Sequence, residues 1–229
     1  MIKRAFLIAA FALAACATTT PAQQSAVPAN LGLLKRELVV FYESGAYERA
    51  FAAVAEEASA WIALRAPQVE RPAIVLDIDE TALSNWPQMR ANDFGYFTDG
   101  PCETLPRGPC GAVAWENSGR AEAIAPALAL YQAARAAGVT VFFITGRHEA
   151  QREGTERNLR EAGYTEFGSL TLRAPGPRQP TAQYKAAARA AIEAQGYTII
   201  ANLGDQPNDL EGGHAERTFL MPNPFYAVP

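Results

Sequence analysis

Pro72-Ala-Ile-Val-Leu-Asp-Ile-Asp-Glu-Thr81 decides how the rest of the chain is read. Its first five residues form an apolar run without a polar face, the pattern of a parallel strand covered on both sides. Acids follow at once, at Asp77, Asp79 and Glu80. Residues 139–144 and 197–203 repeat the apolar pattern, and 169–172 and 218–221 are shorter candidates. Between them, helical spacing is predicted at about 121–137, 149–162 and 181–195, the last stopping at Gly196. Strands that alternate with helices predict an α/β fold, a Rossmann-like parallel sheet with helices on both faces.

Upstream, residues 31–66 form a helical lead-in of two stretches separated near Ser44-Gly45. Leu33, Leu34, Leu38, Phe41 and Tyr42 carry the helical spacing in the first, and Ala50, Val54, Ala58 and Trp61 in the second. Residues 84–119 break the alternation. They are rich in Gly, Pro and aromatics and too long for an ordinary connection, so they read as a small cap insertion. Its aromatic residues Trp86, Phe94, Tyr96, Phe97 and Trp115 are expected to form mainly a satellite core.

The whole chain has 229 residues, 49% hydrophobic and 19% charged, with a formal charge of −4. Such a composition excludes a disordered chain, and mild acidity without a Lys/Arg cluster argues against a nucleic acid polymer as partner. Met-Ile-Lys-Arg followed by an apolar stretch over 5–15 has the layout of an export signal. Leu13-Ala-Ala-Cys16 resembles a bacterial lipobox, which predicts a signal peptide at 1–15 and lipidation of Cys16. An ordinary secretory signal or an N-terminal core helix are the alternatives. Residues 16–30 then read as a flexible tether, and 31–229 as the folded domain. The expected location is membrane-anchored, on the periplasmic side of the bacterial outer membrane. Outside the cytoplasm, Cys102 and Cys110 are expected to form a small disulfide contributing about 2–3 kcal/mol. A zinc site is the alternative, but His148 and His214 are the only histidines.

In a parallel sheet, ligands bind at the carboxyl ends of the strands. The three strongest apolar runs end in Asp77-Ile-Asp-Glu-Thr81, in Thr145-Gly-Arg147, and in Gly204-Asp-Gln-Pro-Asn-Asp209. Any single Asp there also reads as a helix N-cap. Four converging aspartates need a cation, and an all-oxygen set with two or three carboxylates suits Mg2+.

These segments resemble the motifs of haloacid dehalogenase superfamily phosphatases, with Lys185 fitting the motif that precedes the last strand. Leu76-Asp-Ile-Asp-Glu-Thr-Ala-Leu-Ser-Asn85, Phe143-Ile-Thr-Gly-Arg147, Gly204-Asp-Gln-Pro-Asn-Asp-Leu210 and Met221-Pro-Asn-Pro-Phe-Tyr226 narrow the resemblance. They are similar to acid phosphatases related to plant vegetative storage proteins and to bacterial lipoprotein acid phosphatases. The resemblance implies a magnesium-dependent enzyme for small phosphomonoesters, nucleotides among them, working through an aspartyl-phosphate. Asp77 is then the nucleophile and Asp79 the general acid and base. Thr145 binds the phosphoryl group, and Lys185 offsets charge. The metal is held by Asp77, the Asp79 carbonyl and Asp205, with Asp209 as a further ligand or anchor. Arg147 either contacts substrate or anchors its loop by an ion pair. Trp115 matches an aromatic that stacks on a nucleotide base in related enzymes, although Gly-Ala-Val-Ala precedes it here. A catalytically quiet binding or storage lipoprotein on the same fold is the alternative function.

Overall fold

The structure, a computed structural model, describes residues 27–177 and 179–228. The signal, Cys16 and most of the tether therefore lie outside the described residues. Among the described residues, no helix is long and apolar enough to cross a membrane.

Five parallel strands make the main sheet: β1 (Pro72–Leu76), β4 (Thr140–His148), β5 (Leu170–Arg173), β6 (Thr198–Gly204) and β7 (Thr218–Leu220). Their spatial order is β5-β4-β1-β6-β7, all in parallel register. The chain moves outward from β1 through β4 to β5, then returns to the other side for β6 and β7. That reversal puts the end of β1 at the switch point where α/β sheets open a crevice.

Side chains alternate across the sheet, as strand geometry requires. Ile74, Leu76, Val141, Phe143 and Leu203 point to one face, and Ala73, Val75, Phe142, Ile144 and Ile199 to the other. The first face is covered by α2 (Ala46–Arg65) and α5 (Ala125–Ala136). Phe51, Ala55, Ala58 and Ile62 recur at helical spacing on α2, and Ala127, Leu130, Tyr131 and Ala134 do so on α5. The second face is covered by α7 (Thr181–Glu193) through Ile192, Ala188 and Tyr184. A register shift in β6 leaves Ile200 without a β1 partner, and its carbonyl accepts the Trp61 indole N–H at 2.7 Å. The lead-in helix α1 (Leu31–Glu43) leans on this body through Leu38, Phe41 and Tyr42, and Gly45, at φ +73°, turns the chain into α2.

Several boundaries differ from expectation, each for a non-local reason. The helix expected from about 121 starts at Ala125, because Glu122–Ala123 (β3) pairs antiparallel with Leu83–Ser84 (β2). That small ladder clamps the two ends of the insertion together. Inside it lie two short helices that the sequence pattern does not reveal, α3 (Trp86–Ala91) and α4 (Ala112–Ser118). β4 runs on through His148, so the helix expected from 149 begins with a 3-10 turn before α6 (Arg152–Glu161). The Cys102–Cys110 disulfide closes the insertion's loop, and Asn92 holds Cys110 through both its amide groups. Gly154 of α6 lets α4 approach, since a Cβ there would lie 2.7 Å from the Asn117 Cα.

Candidate active site

The β1–β6 ladder continues one residue past β1, where the Asp77 amide donates to the Leu203 carbonyl at 3.0 Å. The chain then turns sharply. The Ile78 carbonyl accepts the amides of Thr81, Ala82 and Leu83, and Glu80 sits at φ +52°. A left-handed glutamate costs about 1–2 kcal/mol, so its surroundings must fix it. The buried Glu80 carboxylate accepts the Asn85 amide at 2.6 Å, the Asn85 side chain at 3.0 Å and the Tyr226 hydroxyl at 2.7 Å. This turn presents Asp77 and Asp79 at the sheet edge.

On one side of Asp77 lies a carboxylate cluster. Oxygens of Asp77, Asp205 and Asp209 fall within 4.8 Å of one another, and all three residues are buried. Asp209 sits on α8 (Pro207–Leu210), directly above Gly204; a Cβ at Gly204 would come 2.4 Å from the Asp209 Cβ. Lys185, buried on α7, donates to Asp77 Oδ1 at 2.5 Å and to Asp209 Oδ1 at 2.6 Å. One turn further along α7, Arg189 donates to the carbonyls of Asp209 at 2.7 Å, Gly213 at 2.8 Å and Glu211. Asn202 donates to the same Asp209 carbonyl at 3.0 Å. Asp205 is oriented by Gln206 at 2.5 Å, Asn223 at 2.7 Å and Thr81 at 3.3 Å.

Three carboxylates crowd this cluster around one ammonium, which pairs with Asp77 and Asp209, and the protonation behaviour follows. Burial pushes the Asp77 carboxyl well above its ordinary range; Lys185 pulls back, while Asp209, Asp205 and Asp79 push further. Burial and the Asp209 charge raise Asp205 to about 6 against the hydrogen bonds of Asn223 and Gln206. Such a site gains from a cation that replaces protons. Its donors are hard carboxylate oxygens, so the residues present fit a divalent ion such as Mg2+.

Asp79 faces the other way, with a quarter of its side chain exposed. Arg147, at the end of β4 and almost wholly buried, donates through Nη2 to Asp79 Oδ1 at 2.6 Å and through Nε to both oxygens at 3.1–3.2 Å. Its remaining reach goes to the Thr155 hydroxyl at 3.2 Å. Burial alone raises the Asp79 carboxyl, but the Arg147 charge and hydrogen bonds outweigh it and carry it below the ordinary value. Of the two readings of Arg147, the ion pair is the one the structure has, with the guanidinium turned to Asp79 and Thr155. Thr145 is buried beside it, and its oxygen accepts the Arg147 amide at 3.1 Å. The hydroxyl hydrogen is left to donate elsewhere.

Trp115 differs from expectation. It is 3% exposed, its indole N–H donates to Asn85 Oδ1 at 2.7 Å, and the Arg120 guanidinium covers its ring at 5.4 Å. A ring so enclosed offers little open face for a nucleotide base. The sequence reading missed Asn85, Arg189, Asn202, Asn223 and Tyr226. Asn85 closes the first quoted motif, and Asn223 and Tyr226 lie in the last. Arg189 carries one signal, its i+4 spacing from Lys185.

A parallel α/β sheet with paired aspartates beyond its first strand and a lysine-bridged acidic cluster defines the haloacid dehalogenase class. Within it, the chain belongs to the HAD superfamily, subfamily IIIB (Acid phosphatase), whose sequence model matches residues 9–229. Over 162 residues it is 37% identical to a stem 28 kDa glycoprotein of Glycine max, covering 69% of this chain and 61% of that protein. It is 35% identical to acid phosphatase 1 of Solanum lycopersicum, covering 69% and 60% respectively. It is 31% identical to vegetative storage protein 1 of Arabidopsis thaliana over 156 residues, covering 68% and 55%. The match thus spans about three fifths of the length of the first two relatives. The fold is similar to that of the class C acid phosphatase from Bacillus anthracis solved with tungstate bound. There the TM-score is 0.64 at 22% identity, covering 85% of this chain and 86% of that one.

Proposed function

We propose that this protein is a phosphomonoesterase that hydrolyses small phosphate esters through Asp77. The observation that carries the reading is the Asp77–Lys185–Asp209 arrangement, a nucleophilic carboxylate fixed by an ammonium beside an acidic cluster at the sheet edge. Family membership and the acid phosphatase among the relatives support it. An oxygen of Asp77 attacks phosphorus, the bond from phosphorus to the ester oxygen breaks, and an aspartyl-phosphate forms. The departing oxygen takes a proton from Asp79. Asp79, now a carboxylate, draws a proton from water, which attacks the same phosphorus and frees Asp77 and phosphate. Thr145 donates to a phosphoryl oxygen, and Lys185 offsets negative charge.

Asp77, Asp205 and Asp209, with the Asp79 carbonyl, would hold Mg2+, which supplies charge neutralisation at the phosphoryl group when bound. Arg147 keeps Asp79 ionised while the pocket holds no substrate. A phosphoryl dianion beside Asp77 competes for Arg147 and adds like charge, and both effects drive Asp79 toward protonation.

A second reading, a storage protein with negligible turnover, takes support from the storage proteins among the relatives. Phosphate release from p-nitrophenyl phosphate, with and without Mg2+ after EDTA treatment, separates the two. Metal-dependent release and acid-stable labelling of Asp77 by a rapidly quenched substrate support the enzyme; no release under either condition supports storage. We also propose export with lipidation at Cys16, resting on the Leu13-Ala-Ala-Cys16 segment. Labelled fatty acid entering the wild type but not Cys16→Ser is the expected result.

A further inference from the structure

The cap helix α4 reaches the candidate proton donor through two side chains. Trp115 donates its indole N–H to Asn85 Oδ1 at 2.7 Å, and Asn85 donates through Nδ2 to Asp79 Oδ1 at 2.9 Å and to Glu80 Oε2 at 3.0 Å. An indole can only donate. Trp115 therefore dictates that the oxygen of Asn85 faces α4, which turns its amide hydrogens toward the two carboxylates. The opposite amide orientation would set an oxygen against each carboxylate and an NH2 group against the indole N–H.

This arrangement makes the two oxygens of Asp79 unequal. Among the described residues, Oδ1 accepts from Asn85 and from Arg147 Nη2 at 2.6 Å, while Oδ2 accepts only the Arg147 Nε at 3.1 Å. The oxygen that meets fewer donors is the one that can carry a hydrogen.

We propose that Trp115 and Asn85 are a positioning pair for Asp79, fixing its carboxyl group so that Oδ2 delivers the proton to the leaving ester oxygen. The inference rests on the phosphatase reading and adds to it. The proton passes from Oδ2 to the ester oxygen as its bond to phosphorus breaks, and water returns a proton to Asp79 in the second half of the cycle. Trp115 thereby acts through the enzyme's own acid and not through a substrate base. Neither residue touches the phosphoryl group in this account.

The test uses leaving groups that differ in their need for a proton. Nitrophenolate departs unprotonated, whereas the alkoxide of an alkyl phosphate does not. The measured quantity is the ratio of kcat/KM for glycerol phosphate to that for p-nitrophenyl phosphate, since kcat/KM reports the step in which the ester oxygen leaves. Trp115→Phe removes the N–H and keeps an aromatic ring; Asn85→Ala removes the contact to Asp79. Because general acid catalysis contributes about 10²–10⁴-fold, the ratio is expected to fall by about 10-fold in Trp115→Phe and up to about 100-fold in Asn85→Ala. Asn85→Ala also strips donors from buried Glu80, so Trp115→Phe keeps the test usable where that variant fails to fold. Equal losses on both esters, or an unchanged ratio in folded Trp115→Phe, would overturn the proposal while leaving the phosphatase reading intact. Wild-type protein inert toward both esters would remove that reading and this inference together.

Discussion

Asp77 and Asp79 lie two residues apart and are chemically identical, yet the halves of the site around them follow opposite electrostatic plans. Asp77 belongs to a buried group of three carboxylates, two of which share Lys185, and that half carries surplus negative charge. Asp79 is instead paired with Arg147 and takes an amide hydrogen from Asn85. The first half is suited to attract a cation and an attacking role; the second holds a carboxylate whose ionisation depends on what competes for Arg147. Spacing sets where the two acids stand, and the neighbours set what each can do.

Substitution of each acid probes this division most sharply. Asp77→Asn should lower kcat/KM by more than about 10⁴-fold for every ester, since it removes the attacking carboxylate. Asp79→Asn should cost about 10²–10⁴-fold on alkyl phosphates and much less on p-nitrophenyl phosphate. Steady-state kinetics on both esters measures the difference; matching profiles for the two variants would erase the comparison.

Next in size is Lys185→Met, which leaves Asp77 and Asp209 without their shared ammonium. Breaking a buried ion pair from one side costs about 3–5 kcal/mol, so thermal unfolding in EDTA should shift down strongly. Added Mg2+ should recover part of that loss, and a variant as stable as the wild type in EDTA would contradict the surplus of charge. Gly204→Ala should cost about 1–3 kcal/mol through overpacking and push Asp209 off its position. Calorimetric titration should then show weaker Mg2+ binding; unaltered binding would show that Asp209 is not fixed by this contact.

The smallest effect concerns the Asp79 half. Burial and the charge of Asp79 raise Glu116 to about 7 from its ordinary 4.5, against the pull of Arg147. In the folded state it holds a proton that the unfolded chain has already lost, so stability is full below 4.5 and declines as pH rises to about 7. Glu116→Gln should therefore stabilise the protein at pH 8 by on the order of 1–2 kcal/mol, with the gain fading toward pH 4.5. Denaturant melts across this range check it, and a pH-independent difference would mean that Glu116 ionises normally.

The strands were legible because each is a short apolar run closed by polar residues, and burial on both faces demands that pattern. The acids at their ends were legible for the same reason, since a parallel sheet places those ends together. The cap was not. Leu83–Ser84 finds Glu122–Ala123 across the whole insertion, and two-residue strands have no period to read. Trp115 resembles a stacking aromatic of related enzymes by its place in the insertion, whereas the partner of its N–H, Asn85, is 30 positions away and leaves no local pattern. Arg147 showed both of its options and revealed neither, since Asp79 lies 68 positions upstream.

The sequence by itself determined the order of the main-sheet strands and the helices that cover them, the carboxyl-end position of Asp77, Asp79, Thr145, Asp205 and Asp209, and the existence of an insertion. Tertiary structure alone decided which charge meets which. Lys185 comes to Asp77 across 108 positions and Arg147 to Asp79 across 68. The physical reason is range: local patterns record burial and backbone hydrogen bonding between near neighbours. The ionisation of a buried carboxylate is fixed by charges a few ångströms away, and these arrive from other elements only once the sheet has formed.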